Sequence, residues 1–176
     1  RFTCYHRRSY VCKTGVGDVL IGAAASIADY NGVPNVSHIK DKLVEMTHLN
    51  ESIYGTGIAS SYQSQKMKSG VWQNDEMLAN VCKHNVTRFP YQIGRFAQDI
   101  AGGLMVTLPS EAEFRSPETG PLLKKYLKGR KGVDVENKMR VLRLIENMTM
   151  GRNAVGYLTE SMHGAGSPQA QRIQIA

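Results

Sequence analysis

Two short stretches at opposite ends of the chain carry groups that move protons or bind metals. Near the C-terminus, Thr159-Glu160-Ser161-Met162-His163 places a carboxylate and an imidazole three residues apart, directly before Gly164-Ala165-Gly166-Ser167-Pro168. The segment reads as helix running into a Gly/Pro stop, so Glu160 and His163 are expected where a helix unwinds. Helix ends carry unpaired backbone groups and more mobile chain, which suits a site. A plain helix stop with exposed polar residues fits the same pattern. At the other end, Tyr5-His6-Arg7-Arg8-Ser9-Tyr10-Val11-Cys12-Lys13 holds an imidazole, a phenol, a thiol and an amine within nine positions. His6 and Cys12 are candidate ligands for iron or zinc, and Tyr10 and Lys13 candidate proton carriers. No second Cys-x-x-Cys pair completes a zinc site.

Other groups have more ordinary readings beside the chemical one. Gly102-Gly103 follows an amphipathic stretch; a glycine pair either ends a helix or exposes backbone N–H groups to a phosphate. Lys124, Lys125, Lys128, Arg130 and Lys131 place five positive charges in eight residues, which describes a solvated face or an attractor for a phosphorylated ligand. Cys82 falls in an apolar helical stripe and is expected in the core. His38, His48 and His84 have no assigned role.

The elements that position these groups are helical. Val16, Leu20, Ala23, Ile27 and Tyr30 recur at helical steps and predict a helix over 8–31, ended by Gly32 and Pro34. Gly22-Ala23-Ala24-Ala25 within it allows a close neighbour. Ser37 is the expected cap of a second helix with Ile39, Leu43, Met46 and Ile53 on one face, fading over 60–69. Asn74 or Asp75 is expected to cap a third, with Leu78, Val81, Cys82 and Val86, and Pro90 to kink or divide it. The pattern resumes through Ile93, Phe96 and Ile100 and stops at Gly102-Gly103. Residues 104–133 read as irregular around one short helix at 122–127. Asp134 is expected to cap a last long helix with Val141, Ile145, Met148 and Val155 in register. No strand alternation persists, so the expected fold is all-α, an antiparallel bundle of four to five long helices.

The 176 residues are the size of one domain and bury about 70% of the unfolded surface. No run of about 18 apolar residues exists, so no membrane span is expected. Arg1-Phe2-Thr3 reads as mid-chain sequence, and the expected unit is the whole of 1–176 as one domain of a longer protein. Three cysteines (Cys4, Cys12 and Cys82) form no disulfide framework, which points to a reducing, cytoplasmic compartment. The net charge of +7 favours anionic partners, a nucleotide-bearing cofactor or thioester among them. Nucleic acid is not expected, because no nucleic-acid motif accompanies the charge.

Longer strings carry a resemblance. Tyr5-His6-Arg7, Cys12-Lys13 with Gly15-Val16-Gly17-Asp18, Glu45-Met46-Thr47-His48-Leu49-Asn50-Glu51, Leu78-Ala79-Asn80-Val81-Cys82-Lys83, Thr87-Arg88-Phe89-Pro90-Tyr91, Gln98-Asp99-Ile100-Ala101-Gly102-Gly103-Leu104-Met105-Val106-Thr107 and the region 157–172 resemble the C-terminal helical domain of the 4-hydroxybutyryl-CoA dehydratase/vinylacetyl-CoA Δ-isomerase family. Nearly the whole chain is covered, except roughly 61–74 and 115–138. The resemblance implies a fold similar to the acyl-CoA dehydrogenase C-terminal domain, with N-terminal helical and middle β domains outside this chain. It also implies FAD, an acyl-CoA substrate, a homotetramer, and a [4Fe–4S] cluster held by three cysteines and one histidine. Of the cluster ligands, His6 and Cys12 match the pattern here. Tyr10 and Lys13 match active-site neighbours, Glu160 a carboxylate near the substrate, and Asp99, Gly102 and Gly103 the loop that meets the flavin pyrophosphate.

His6 and Cys12 lie six positions apart, where the family spacing is seven. On a regular helix six steps leave two side chains about 120° apart, so a shared cluster corner requires irregular backbone or a helix that begins after His6. The implied reaction dehydrates 4-hydroxybutyryl-CoA to crotonyl-CoA. Its β-hydrogen is poorly acidic, so flavin and a Lewis-acidic iron are expected to assist. His6 is then both ligand and base, and Glu160 carries the proton in the isomerase half. The alternatives are a flavin-dependent monooxygenase of the 4-hydroxyphenylacetate hydroxylase type, which shares the bundle and the Gly-Gly turn, and an inactive helical oligomerisation fragment.

Overall fold

The computed structural model describes residues 9–176, apart from the side chain of Ser161. Helix α1, Ser9–Tyr30, buries Lys13, Thr14, Gly17, Leu20, Ala23, Ala24, Ile27 and Ala28. These steps of three and four make one inward face. The close approach comes from Ala23 and Ala24; Gly22 points outward, with nothing within 4 Å of where its Cβ would stand. By length and composition alone, α1 is long and apolar enough to cross a membrane. Its packing against three other helices gives that apolarity a second use as a core face. Gly32 closes α1 with φ 75°, and Val33 N and Gly32 N donate back to Ala28 O and Asp29 O, satisfying carbonyls that a helix end leaves open.

Helix α2, Ser37–Tyr62, buries Ile39, Met46, Leu49, Asn50, Ile53, Gly57 and Ser60. Its cap position is Val36 rather than Ser37, with no side-chain cap. A two-residue hairpin follows, β1 Gln65–Lys66 against β2 Trp72–Gln73, antiparallel with Lys66 opposite Trp72. Helix α3, Glu76–Ala101, is capped by Asp75, whose carboxylate accepts from Leu78 N at 2.7 Å.

Pro90 neither divides α3 nor ends it. An internal proline costs about 3 kcal/mol. Pro90, however, sits fully buried in a stripe with Val86 and Ile93, and each such apolar side chain contributes roughly 1.5–3 kcal/mol. Tertiary packing therefore outweighs the local penalty.

Gly102, at φ 78°, stops α3 and leads into a 3₁₀ turn over Gly103–Thr107. The expected irregular stretch contains α4, Glu111–Arg115, held by a Ser110/Glu113 capping box, and α5, Gly120–Tyr126. Helix α6, Val135–Thr149, starts at Asp134, whose side chain accepts from Glu136 N. Val155 lies beyond its end, exposed in a 3₁₀ turn over Arg152–Gly156. Helix α7, Glu160–Ala165, and α8, Pro168–Ile175, close the chain. The architecture is an all-α bundle in which α1, α2, α3 and α6 enclose the core through Leu20, Ile27, Met46, Ile93, Ala97, Leu142 and Ile145.

Candidate active site

Lys13 is 2% exposed on the inward face of α1. A buried ammonium is costly unless its protons are used. Here Nζ donates to Gly156 O and to Glu160 Oε2, the latter at 3.0 Å. It also lies 5.9 Å from the centroid of the Tyr157 ring, whose negative face favours a cation. Glu160 is 66% exposed, so a carboxylate at the surface reaches down to a buried amine. Two groups at opposite ends of the sequence thus meet.

The local setting of Glu160 differs from the expected one. It starts α7, where a carboxylate complements the free N–H groups, rather than lying where a helix unwinds. His163 is exposed at the far end of the same short helix. Tyr10, one turn before Lys13, is half-buried between α1 and α2. Its ring occupies the space that a Cβ at Gly57 would fill, 5.9 Å from the Tyr54 ring and packed on Ile53, Cys82 and Val86. Cys12 is exposed, so thiol and amine leave α1 in different directions although adjacent in sequence. His6 lies outside the described residues, and so does its approach to Cys12. Among the described residues no group of three or more His, Cys, Asp or Glu side chains is arranged to hold a metal ion. Cys82 is buried against Ile53 O, as expected of a core thiol.

Asp99, Gly102 and Gly103 form a second location. Asp99 is exposed near the end of α3 and pairs with Lys42 of α2 at 2.6 Å. The hydrogen bond from Lys42 holds its carboxyl below the ordinary range. A Cβ at Gly102 or Gly103 would meet nothing within 4 Å, so the surface over this turn is open to close approach. Lys42 stands eight residues before Asn50, the α2 residue tied to the Lys13 segment. Lys42 and Asn50 are therefore about 12 Å apart along α2. The basic run divides likewise: Arg130 is structural, pairing with Asp29 at 2.7 Å, whereas Lys124, Lys125, Lys128 and Lys131 lie on the surface.

Two features of the site carry no role in the sequence reading. Tyr157 is 2% exposed beneath Lys13, and burial together with the Asp18 carboxylate pushes its phenol above the ordinary range. Its hydroxyl has no hydrogen-bond partner among the described residues. Its position three residues before Glu160 was the available signal. Asn50 is 1% exposed and donates to Thr14 O at 3.1 Å and Asp18 Oδ1 at 2.8 Å. Both partners are acceptors, which fixes the orientation of the amide. A Cβ at Gly17 would lie 2.2 Å from Asn50 Oδ1, so only glycine admits this side chain. A polar residue inside the stripe of Met46, Ile53 and Gly57 was its signal.

The family model described as 4-hydroxyphenylacetate 3-hydroxylase C terminal matches residues 1–176. The chain belongs to this family. Among individual relatives, it is 59% identical to the 4-hydroxybutyryl-CoA dehydratase/vinylacetyl-CoA-Delta-isomerase of Clostridium aminobutyricum, over all of this chain and 38% of that protein. It is 24% identical to the 4-hydroxyphenylacetate 3-monooxygenase oxygenase component of Thermus thermophilus, over 78% of this chain and 28% of that one. An oxygen-tolerant archaeal 4-hydroxybutyryl-CoA dehydratase from N. maritimus superposes with a TM-score of 0.94 at 84% identity, covering 99% of this chain and 35% of that structure. The oxygenase component of 4-hydroxyphenylacetate 3-monooxygenase complexed with FAD and 4-hydroxyphenylacetate gives 0.85 at 23% identity, over 97% of this chain and 35% of that one, a likeness of fold alone. The chain thus spans just over a third of the length of the dehydratase relatives.

Proposed function

We propose that this chain is the C-terminal helical domain of a 4-hydroxybutyryl-CoA dehydratase with vinylacetyl-CoA Δ-isomerase activity, and that Lys13 and Glu160 are its acid/base pair. The observation that carries the reading is the 3.0 Å contact between a buried amine and a surface carboxylate 147 positions apart, in a chain 84% identical to a dehydratase structure. Lys13 orients one carboxylate oxygen through Oε2. Glu160 accepts the proton leaving Cα of vinylacetyl-CoA and returns one at Cγ, which gives crotonyl-CoA with no net loss of atoms. In the dehydration, water is lost from 4-hydroxybutyryl-CoA to give the same product. The anchor through Gly156 O keeps the amine in place while the carboxylate changes charge. Tyr10, one turn earlier, borders this segment from the α2 side.

Flavin fits the second location: the open surface over Gly102-Gly103 suits a pyrophosphate, and Lys42 offsets the charge of Asp99. When bound, FAD supplies the electron acceptance that makes the unactivated β-hydrogen removable. For the [4Fe–4S] cluster, Cys12 is an exposed thiol suited to a metal shared with groups outside the described residues, with His6 as its companion. No step above depends on it. Assembly as a homotetramer, a cytoplasmic location, and N-terminal helical and middle β domains completing the enzyme belong to the same proposal.

The test is an anaerobic assay of the complete enzyme with 4-hydroxybutyryl-CoA and, separately, vinylacetyl-CoA. Crotonyl-CoA from both supports the proposal. Hydroxylation of 4-hydroxyphenylacetate with reduced flavin, and crotonyl-CoA from neither thioester, would replace it with the monooxygenase reading.

A further inference from the structure

The corner between α7 and α8 is held by one side chain. Gln171 is 1% exposed although it lies on the last helix of the chain. Its Nε2 donates to Ala165 O at 3.0 Å and Gly166 O at 3.1 Å, the carbonyls that α7 leaves open at its end. Its Oε1 lies 3.4 Å from Thr87 Oγ1 on α3, a hydroxyl shared with His84 O at 2.9 Å. Both neighbours of Nε2 are acceptors, so the amide has one orientation. Ser167 caps α8 by accepting from Ala170 N, which fixes where Gln171 falls. Helix α7 has only six residues, so whatever fixes Ala165 also fixes Glu160, roughly 8 Å away along the axis.

We propose that Gln171 is a positioning residue that sets the Glu160 carboxylate opposite Lys13 by tying the end of α7 to α3. This rests on the assignment of Glu160 to the chemistry above. Gln171 touches no reacting atom in this arrangement; it acts through the placement of α7.

The test uses the complete enzyme with 4-hydroxybutyryl-CoA, comparing Gln171→Met with the parent and repeating the comparison in a Glu160→Asp background. Gln171→Met keeps the volume and removes the two donors. The expected result is a fall in kcat on the order of 10- to 100-fold with KM nearly unchanged, since misplacement of about 1 Å costs that much. In the Glu160→Asp background the further loss should shrink to less than about 2-fold, because two changes acting through one group do not add. An unchanged kcat, or the same fold-loss in both backgrounds, overturns the proposal. Gln171→Leu, which also loses both donors and buries no charge, replaces Gln171→Met if the latter does not fold. A Glu160→Asp enzyme as active as the parent would remove the assignment of Glu160 itself. A reduced but measurable rate there, with no effect of Gln171→Met in the parent, would remove only the positioning role.

Discussion

Lys13 and Glu160, 147 positions apart, meet at 3.0 Å, the amine 2% exposed and the carboxylate 66% exposed. This asymmetry decides what each partner loses when the other is removed. A freed Glu160 is rehydrated at the surface, whereas a freed Lys13 stays buried with Gly156 O and the face of the Tyr157 ring.

Glu160→Ala is therefore expected to destabilise the fold more than Lys13→Met, although both break one ion pair. Leaving a charge buried and unpaired is the expensive event, and losing an exposed ion pair is worth about 1 kcal/mol or less. Thermal melts of the two variants at neutral pH check this. A larger loss for Lys13→Met, which keeps the packing and removes the ammonium, would mean that the donation to Gly156 O outweighs the cost of an unpaired buried charge.

Gly57→Ala should destabilise by about 1–3 kcal/mol through overpacking, which exceeds the roughly 1 kcal/mol that alanine gains over glycine in a helix. The added methyl would stand 2.4 Å from Tyr10 Cγ. Because Tyr10 is one turn from Lys13, turnover should fall together with denaturant midpoint. A variant as stable as the parent would show that the Tyr10 ring moves aside freely.

The Asp99–Lys42 pair gives a pH dependence of definite sign. Lys42 depresses the Asp99 carboxyl in the folded chain, so above the unfolded value near 3.8 its contribution is complete. As pH falls below that, the unfolded chain takes up the proton first, and stability is lost down to the folded value. Asp99→Asn should flatten the acid limb of the stability curve below about pH 4, by less than about 1 kcal/mol for so exposed a pair. Stability that rises on acidification in the parent relative to Asp99→Asn would contradict it.

The helices were legible because each buries a continuous stripe at steps of three and four, as in Leu20, Ala24 and Ile27. The expected division at Pro90 did not occur because its local cost is visible in the sequence while the packing on both sides of it is not. The hairpin at Gln65–Gln73 was missed because two-residue strands are too short for alternation to register. Within the site, Lys13 and Glu160 were readable as chemistry-bearing types. Their contact was not, since it depends on how α7 turns back over α1. Tyr157 and Asn50 escaped because each sits among apolar residues and looks like core until the buried hydroxyl and the Gly17 notch are seen.

The central claim is that the surface carboxylate held by the buried amine moves the substrate proton. Its most direct measurement is the rate of crotonyl-CoA formation from vinylacetyl-CoA by the complete enzyme carrying Glu160→Gln, with bound flavin measured in the same preparation. The amide can still accept from Lys13 but cannot take a proton, so turnover should fall by about 10²- to 10⁴-fold while flavin content stays at the parent level. A rate equal to the parent's, with flavin intact, would contradict the account.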